Sequence, residues 1–190
     1  MKRFGLFLFV FVLAMGNLAL AQVDREQAKK LVDTYKNAVL KIRVIITQWG
    51  VFQGRESSKE ESKYEIVGTV IDKKGTIVTS AFSLDPSNIF QRMFGGEDYQ
   101  VKSELKELKI ILPDNKEIEG QIVLRDDKLD LAFIRPKSPQ TDVQFEYVDL
   151  DNASEPQLLD EVIGIQRMGE NFDRTIFVSL SRIGAIISKP

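Results

Sequence analysis

From Leu40 to Pro136 the chain runs as a succession of short segments rich in Val, Ile and Phe, each bounded by turn residues, and this pattern restricts the fold more than any other feature. Six segments read as strands: 40–48, 64–72, 75–81, 107–114, 117–125 and 131–136. Most are joined by short connections. Asp72-Lys73-Lys74-Gly75 and Pro113-Asp114-Asn115-Lys116 carry hairpin-turn chemistry, with Gly75 available for a positive φ. Six short antiparallel strands suit a small closed barrel, since closure removes the unpaired edges of an open sheet.

The flanking segments differ in kind. Before the strands, Asp24 is placed to cap a helix with Gln27 three residues on, and Ala28, Leu31, Val32, Tyr35, Ala38 and Val39 recur at helical spacing, so this helix is expected to lie on the body of the domain. Two excursions interrupt the barrel. The stretch 54–63 reads as a charged, solvated loop, whereas Ser83 to Leu105 carries Phe90, Met93, Phe94 and Tyr99 around Gly95-Gly96. Those aromatics read as a satellite core, with a docking surface as the rival. Beyond a linker (136–142) come QFEYVDL, then 158–166, 174–181 and 182–189, three or so strands that do not close a second barrel and leave open edges.

The chain is thus expected to be all-β. Its divisions are a signal peptide (1–21), an N-terminal helix (22–38), a first barrel (39–142), and a linker with an incomplete second barrel (143–190). The signal is read from Lys2 and Arg3, the apolar run Phe4 to Leu13, and the small-residue site Ala19-Leu20-Ala21. A retained anchor is the alternative. Cleavage removes two of 26 basic residues and no acidic ones, leaving a formal charge of −4 that argues against nucleic acid. The chain has no cysteine, which excludes a lipid-anchored lipoprotein and suits an exported protein of a bacterial envelope, periplasmic or secreted. With neither His nor Cys, the usual ligands of zinc, copper and iron are missing, and Asp149, Asp151 and Asp160 lack the spacing of a calcium loop. No metal and no cofactor are expected.

Between Gly68 and Phe82 the chain reads GTVIDKKGTIVTSAF, and further on ILPDNKEIEGQIVLRDDKLDLAFIR. These two stretches, in this order, resemble the trypsin-like serine proteases of the HtrA (Deg) type. The resemblance covers Val39 to Ser188. In that family G-V-I-I-D-K-D-G-Y-I-L-T-N-N-H delivers the catalytic His, and the match is gapless, retaining Gly68, Ile71, Asp72, Lys73, Gly75, Ile77 and Thr79 but placing Phe82 where the His belongs. The second motif puts Asp130 on the position of the catalytic Asp. A third, looser match links Val162 to Gly169 and Gly184 to Ser188 with the opening of the family's second barrel, where the G-N-P turn has become Gln166-Arg167-Met168. The family's G-N-S-G-G nucleophile motif, which also supplies the oxyanion hole, is not found.

The resemblance therefore implies a trypsin-like six-stranded N-terminal barrel whose triad is broken. Phenylalanine cannot accept the proton that a serine nucleophile must lose, and a retained Asp130 only orients an imidazole that is absent. The expected function is that of an exported, catalytically inactive homologue acting as a binding or regulatory module. Its expected contacts are a protein or peptide, taken by the barrel cleft, the open strand edge or the Ser83 to Leu105 loop, with no membrane contact beyond the signal. The alternative is an N-terminal fragment of a longer trypsin-like protein. Without its imidazole, Asp130 is expected to accept backbone N–H bonds near Ser80 to Phe82 or to open to water. A Ser-Lys dyad using Ser80, Ser83, Ser179 or Ser181 lacks any marking spacing, and Asp126, Asp127 and Asp130 crowd one turn rather than flank a cleft as a glycosidase pair would.

Overall fold

The computed structural model describes residues 24–87, 91, 93 and 99–187. Helix α1 (Arg25–Tyr35) and a 3-10 turn (Lys36–Ala38) lead into β1 (Val39–Phe52), β2 (Arg55–Glu56), β3 (Glu60–Val70) and β4 (Ile77–Ser80). The one-turn helix α2 (Ala81–Leu84) follows, then β5 (Tyr99–Ile111), β6 (Glu117–Asp126), β7 (Leu131–Pro136), β8 (Glu161–Arg167) and β9 (Ile176–Arg182). The expected signal segment lies outside the described residues.

Six strands close an antiparallel barrel in the order β1-β3-β4-β7-β6-β5, with β5 returning to β1. Each half is a meander of three strands, and β5 comes back beside β1, which is a Greek-key arrangement. The period-2 pattern explains which side faces in. Along β1, Leu40, Ile42, Val44 and Ile46 are buried in the core, while Arg43 between them faces outward. Full burial of each such side chain stabilises the fold by about 1.5–3 kcal/mol. At Gly68 an added Cβ would strike Ile77 and Ile42, so only glycine lets β3 approach its neighbours that closely.

The turns behave as their chemistry dictates. Gly75 takes φ +75°, and Asp72 holds the turn by accepting from the N–H groups of Lys74 (2.8 Å) and Thr76 (2.9 Å). Burial opposes ionisation of Asp72, but these bonds and the Arg135 charge outweigh it and hold its carboxyl below the ordinary value. In the second turn Asn115 supplies the left-handed residue, with φ 65°.

Several boundaries differ from the sequence reading. β5 begins at Tyr99, so the end of the Ser83 to Leu105 excursion is strand, because the far end of β1 offers it a partner from Phe52↔Tyr99 onward. Of its large apolar residues, Tyr99 lies over Gly50; Phe90 and Phe94 fall outside the described residues, and Met93 is exposed. The charged loop 54–63 is shorter than expected, since Gln48↔Glu60 already begins the β1–β3 ladder. Segment 182–189 forms no strand over its described residues after Arg182, having no third strand to pair with. Asp24 caps α1 through the N–H of Glu26 at 3.0 Å, yet no residue of α1 is fully buried and Leu31 is exposed. Residues 143–149 are not strand either. Val143, Phe145 and Tyr147 pack on the barrel core, and Val148 N–H bonds the Val70 carbonyl at 2.9 Å.

β8 and β9 form a separate two-stranded hairpin against the outside of the barrel. Two arginines hold it there. Arg167 donates to the carbonyls of Val39 (2.8 Å), Lys36 (3.0 Å) and Arg174 (3.3 Å). Arg174, at φ 48° beside Asp173 at 49°, grips Glu65 through Nη2 (2.7 Å) and Nε (3.3 Å) and Asn115 through Nη1 (3.0 Å).

Candidate functional site

β4 ends on Ser80, and β7 begins beside it, with Ser80 opposite Leu131 in the ladder. This pairing brings the β6–β7 turn against the start of α2. Asp126 builds that turn by accepting from the N–H groups of Lys128 (2.9 Å) and Leu129 (3.1 Å), and the reversal is completed by Asp130 at φ 55°. Ser80, in extended conformation, caps α2 by accepting from Ser83 N–H at 3.1 Å.

Asp130 and Phe82, 48 residues apart in sequence, are brought together here. One carboxylate oxygen of Asp130 accepts from the backbone N–H of Phe82 at 2.7 Å, and the other from Ser80 Oγ at 2.8 Å. Its backbone carbonyl accepts from Ala81 N–H at 3.2 Å. The Asp130 side chain is thus met by a main-chain donor and a hydroxyl. The Phe82 side chain remains 42% exposed at the barrel rim.

This arrangement orders structure; its chemical capacity is small. Ser80 Oγ donates to Asp130 and accepts from Ser83, so its hydrogen bonds are occupied in capping the helix. Among the described residues, no lysine hydrogen-bonds Ser80, Ser83, Ser179 or Ser181, leaving the dyad reading without a base. Asp127 pairs with Arg125 at 2.6 Å, and Asp126 is committed to its turn. Asp149 and Asp160 likewise accept from nearby backbone N–H groups, of Asp151 (3.1 Å) and Gln157 (2.8 Å). No group of three or more metal-ligating side chains occurs among the described residues, and no helix there is long and apolar enough to cross a membrane.

A second network borders the first. Asp85 accepts from Ser103 Oγ at 2.7 Å and lies 3.9 Å from Arg125, while Tyr64 donates to the Leu84 carbonyl at 3.0 Å. Burial, reinforced by the Asp85 charge, pushes the Tyr64 phenol up to about 12. Sequence reasoning did not single out these residues, nor the outer cluster of Lys41, Arg43, Glu65, Glu117 and Arg174. Of the residues that hold the hairpin, the sequence reading named Arg167 alone, within Gln166-Arg167-Met168. A cavity of about 460 Å³ is lined by Tyr64, Glu65 and Phe172. One of about 450 Å³ is lined by Trp49, Ser57 and Tyr99, and one of about 530 Å³ separates α1 from Val178 and Leu180. No protein-family model matches the chain, and no curated protein matches it either.

Proposed function

We propose that this protein is an exported, catalytically inactive relative of the trypsin-like proteases of HtrA type, working as a binding or regulatory module. The observation that carries the reading is the bond from Phe82 N–H to the Asp130 carboxylate. The two positions that the sequence resemblance assigns to the general base and its orienting acid are neighbours at the rim of a six-stranded barrel. An aromatic ring stands where a proton acceptor is needed, and the chain has no histidine to replace it. Losing the base or the nucleophile of such a triad lowers turnover about a millionfold, so the surviving carboxylate does not sustain hydrolysis.

The purified protein is incubated with unfolded casein and, separately, with a serine-directed phosphonate probe. Neither cleavage nor labelling is expected, and Phe82→His alone is expected to remain inactive. Cleavage that follows the protein through purification, or stoichiometric labelling of a serine, overturns the reading.

A further inference from the structure

We propose that the cavity beside Gly50 binds a stretch of extended, uncharged peptide, held by Gln48 and Glu60 through the main-chain carbonyl and N–H of one residue. The proposal deepens the binding-module reading and rests on it. The cavity measures about 450 Å³, within the range of about 300–1,000 Å³ that ligand sites occupy. Its walls are tied in place. Ser57 N–H donates to the Gly50 carbonyl at 2.8 Å, and Ser57 Oγ accepts from Gly50 N–H at 2.9 Å, which fixes the β2 side. On the β5 side the Tyr99 ring lies against the bare backbone of Gly50.

Two polar groups at this cavity are unspent. The register Gln48↔Glu60 sets their side chains next to each other on the face that also carries Gly50 and Val101. Gln48 Nε2 has neither a hydrogen-bond partner nor contact with solvent, a state that folded proteins rarely tolerate without a reason. Rotation of the carboxamide about its soft terminal torsion turns Nε2 into the cavity. Glu60 is exposed, and the adjacent Lys59 is engaged by Glu56 (4.0 Å) and the Trp49 ring (4.4 Å), which leaves the Glu60 carboxylate without an ion pair among the described residues. A donor beside a carboxylate calls for a ligand with an acceptor and a donor on one edge. One residue of an extended chain offers both, since its carbonyl and N–H point the same way, as in a hydrogen-bonded antiparallel pair. An anion would meet the charge of Glu60, and a cation would leave the Gln48 donor unmet. The chain already shows such recognition nearby: the Gln91 carboxamide donates to the Tyr99 carbonyl at 3.2 Å and accepts from Val101 N–H at 2.6 Å. The Tyr99 ring offers a surface to an apolar side chain of the peptide.

Trp49, the single tryptophan, borders the cavity and reports its occupancy by fluorescence. Titration with acetyl-Ala-Phe-Ala-amide is expected to give a saturable change. The analogue with an ester oxygen in place of the Phe N–H is expected to bind about tenfold more weakly, and so is the parent peptide to Glu60→Ala or Gln48→Leu. Gln48→Leu is also expected to keep or raise the melting temperature, because it removes an unmet buried donor, whereas a purely structural Gln48 would lower it. No saturable change, equal affinity for amide and ester, maltose bound as tightly as the peptide, or a destabilised Gln48→Leu overturns the proposal. Casein cleavage would refute the inactivity of the protein and leave this titration readable, so the two readings fail separately.

Discussion

Removing the Arg174 side chain tests how the hairpin is held. Arg174 and Glu65 are only 12% and 10% exposed, and the guanidinium makes two bonds to the carboxylate and a third to Asn115. Deleting one partner of a buried pair costs about 3–5 kcal/mol when the remaining charge is left alone. Glu65 is not left alone, because Arg43 Nη2 stays 3.7 Å away. Arg174→Ala is therefore expected to lower stability by about 2–3 kcal/mol. Arg174→Lys, which keeps the charge but not the fork, should lose about 1–2 kcal/mol. Urea unfolding followed by the fluorescence of Trp49, the single tryptophan, supplies the midpoints. A double-mutant cycle with Glu65→Gln should return a coupling of about 1–3 kcal/mol. A loss below about 0.5 kcal/mol for Arg174→Ala would place the pair with ordinary surface contacts and refute the account of hairpin docking.

Burial lowers the Lys41 ammonium below its ordinary 10.5; Glu65 opposes this shift and Arg174 adds to it. A folded value below the unfolded one means protonation opposes folding, so this penalty is full at pH below the folded value and vanishes as pH rises through it toward 10.5. Lys41→Met should accordingly raise stability by about 1 kcal/mol at pH 7, with the gain over the unmodified protein shrinking in alkaline urea titrations. Asp130→Ala removes the acceptor for Phe82 N–H and Ser80 Oγ and should cost about 1–2 kcal/mol in thermal unfolding, whereas Asp130→Asn, which tolerates φ 55°, should cost less. Gly75→Ala should lower the melting temperature, by an amount equivalent to about 1–3 kcal/mol, because φ is +75° and the new Cβ would lie 2.6 Å from the Phe145 ring.

What the sequence disclosed was whatever is written locally. β7 matches its expected bounds, Leu131–Pro136, and the Asp72 turn was legible from its acid and its glycine. Phe82 and Asp130 lie 48 residues apart and are brought together by the pairing of Ser80 with Leu131 between β4 and β7. The start of β5 was hidden because Ser83 to Leu105 read as an excursion carrying aromatics, and only the distant end of β1 makes its last residues a strand. The opposite error arose after Arg182, where an apolar run found no neighbour among the described residues. Glu65 and Arg174 are separated by 109 residues, and no local pattern pairs one with the other, so their contact is a product of the tertiary fold alone.

β1 is bonded on both flanks, to β3 along one and to β5 along the other. Its second flank is met only by residues some sixty positions downstream, and such distant pairing must overcome chain-closure entropy before any contact rewards it. During synthesis, then, the opening strand must wait half-clad until the ribosome has released the chain past Ile111. The assembly of this domain is set by its seam.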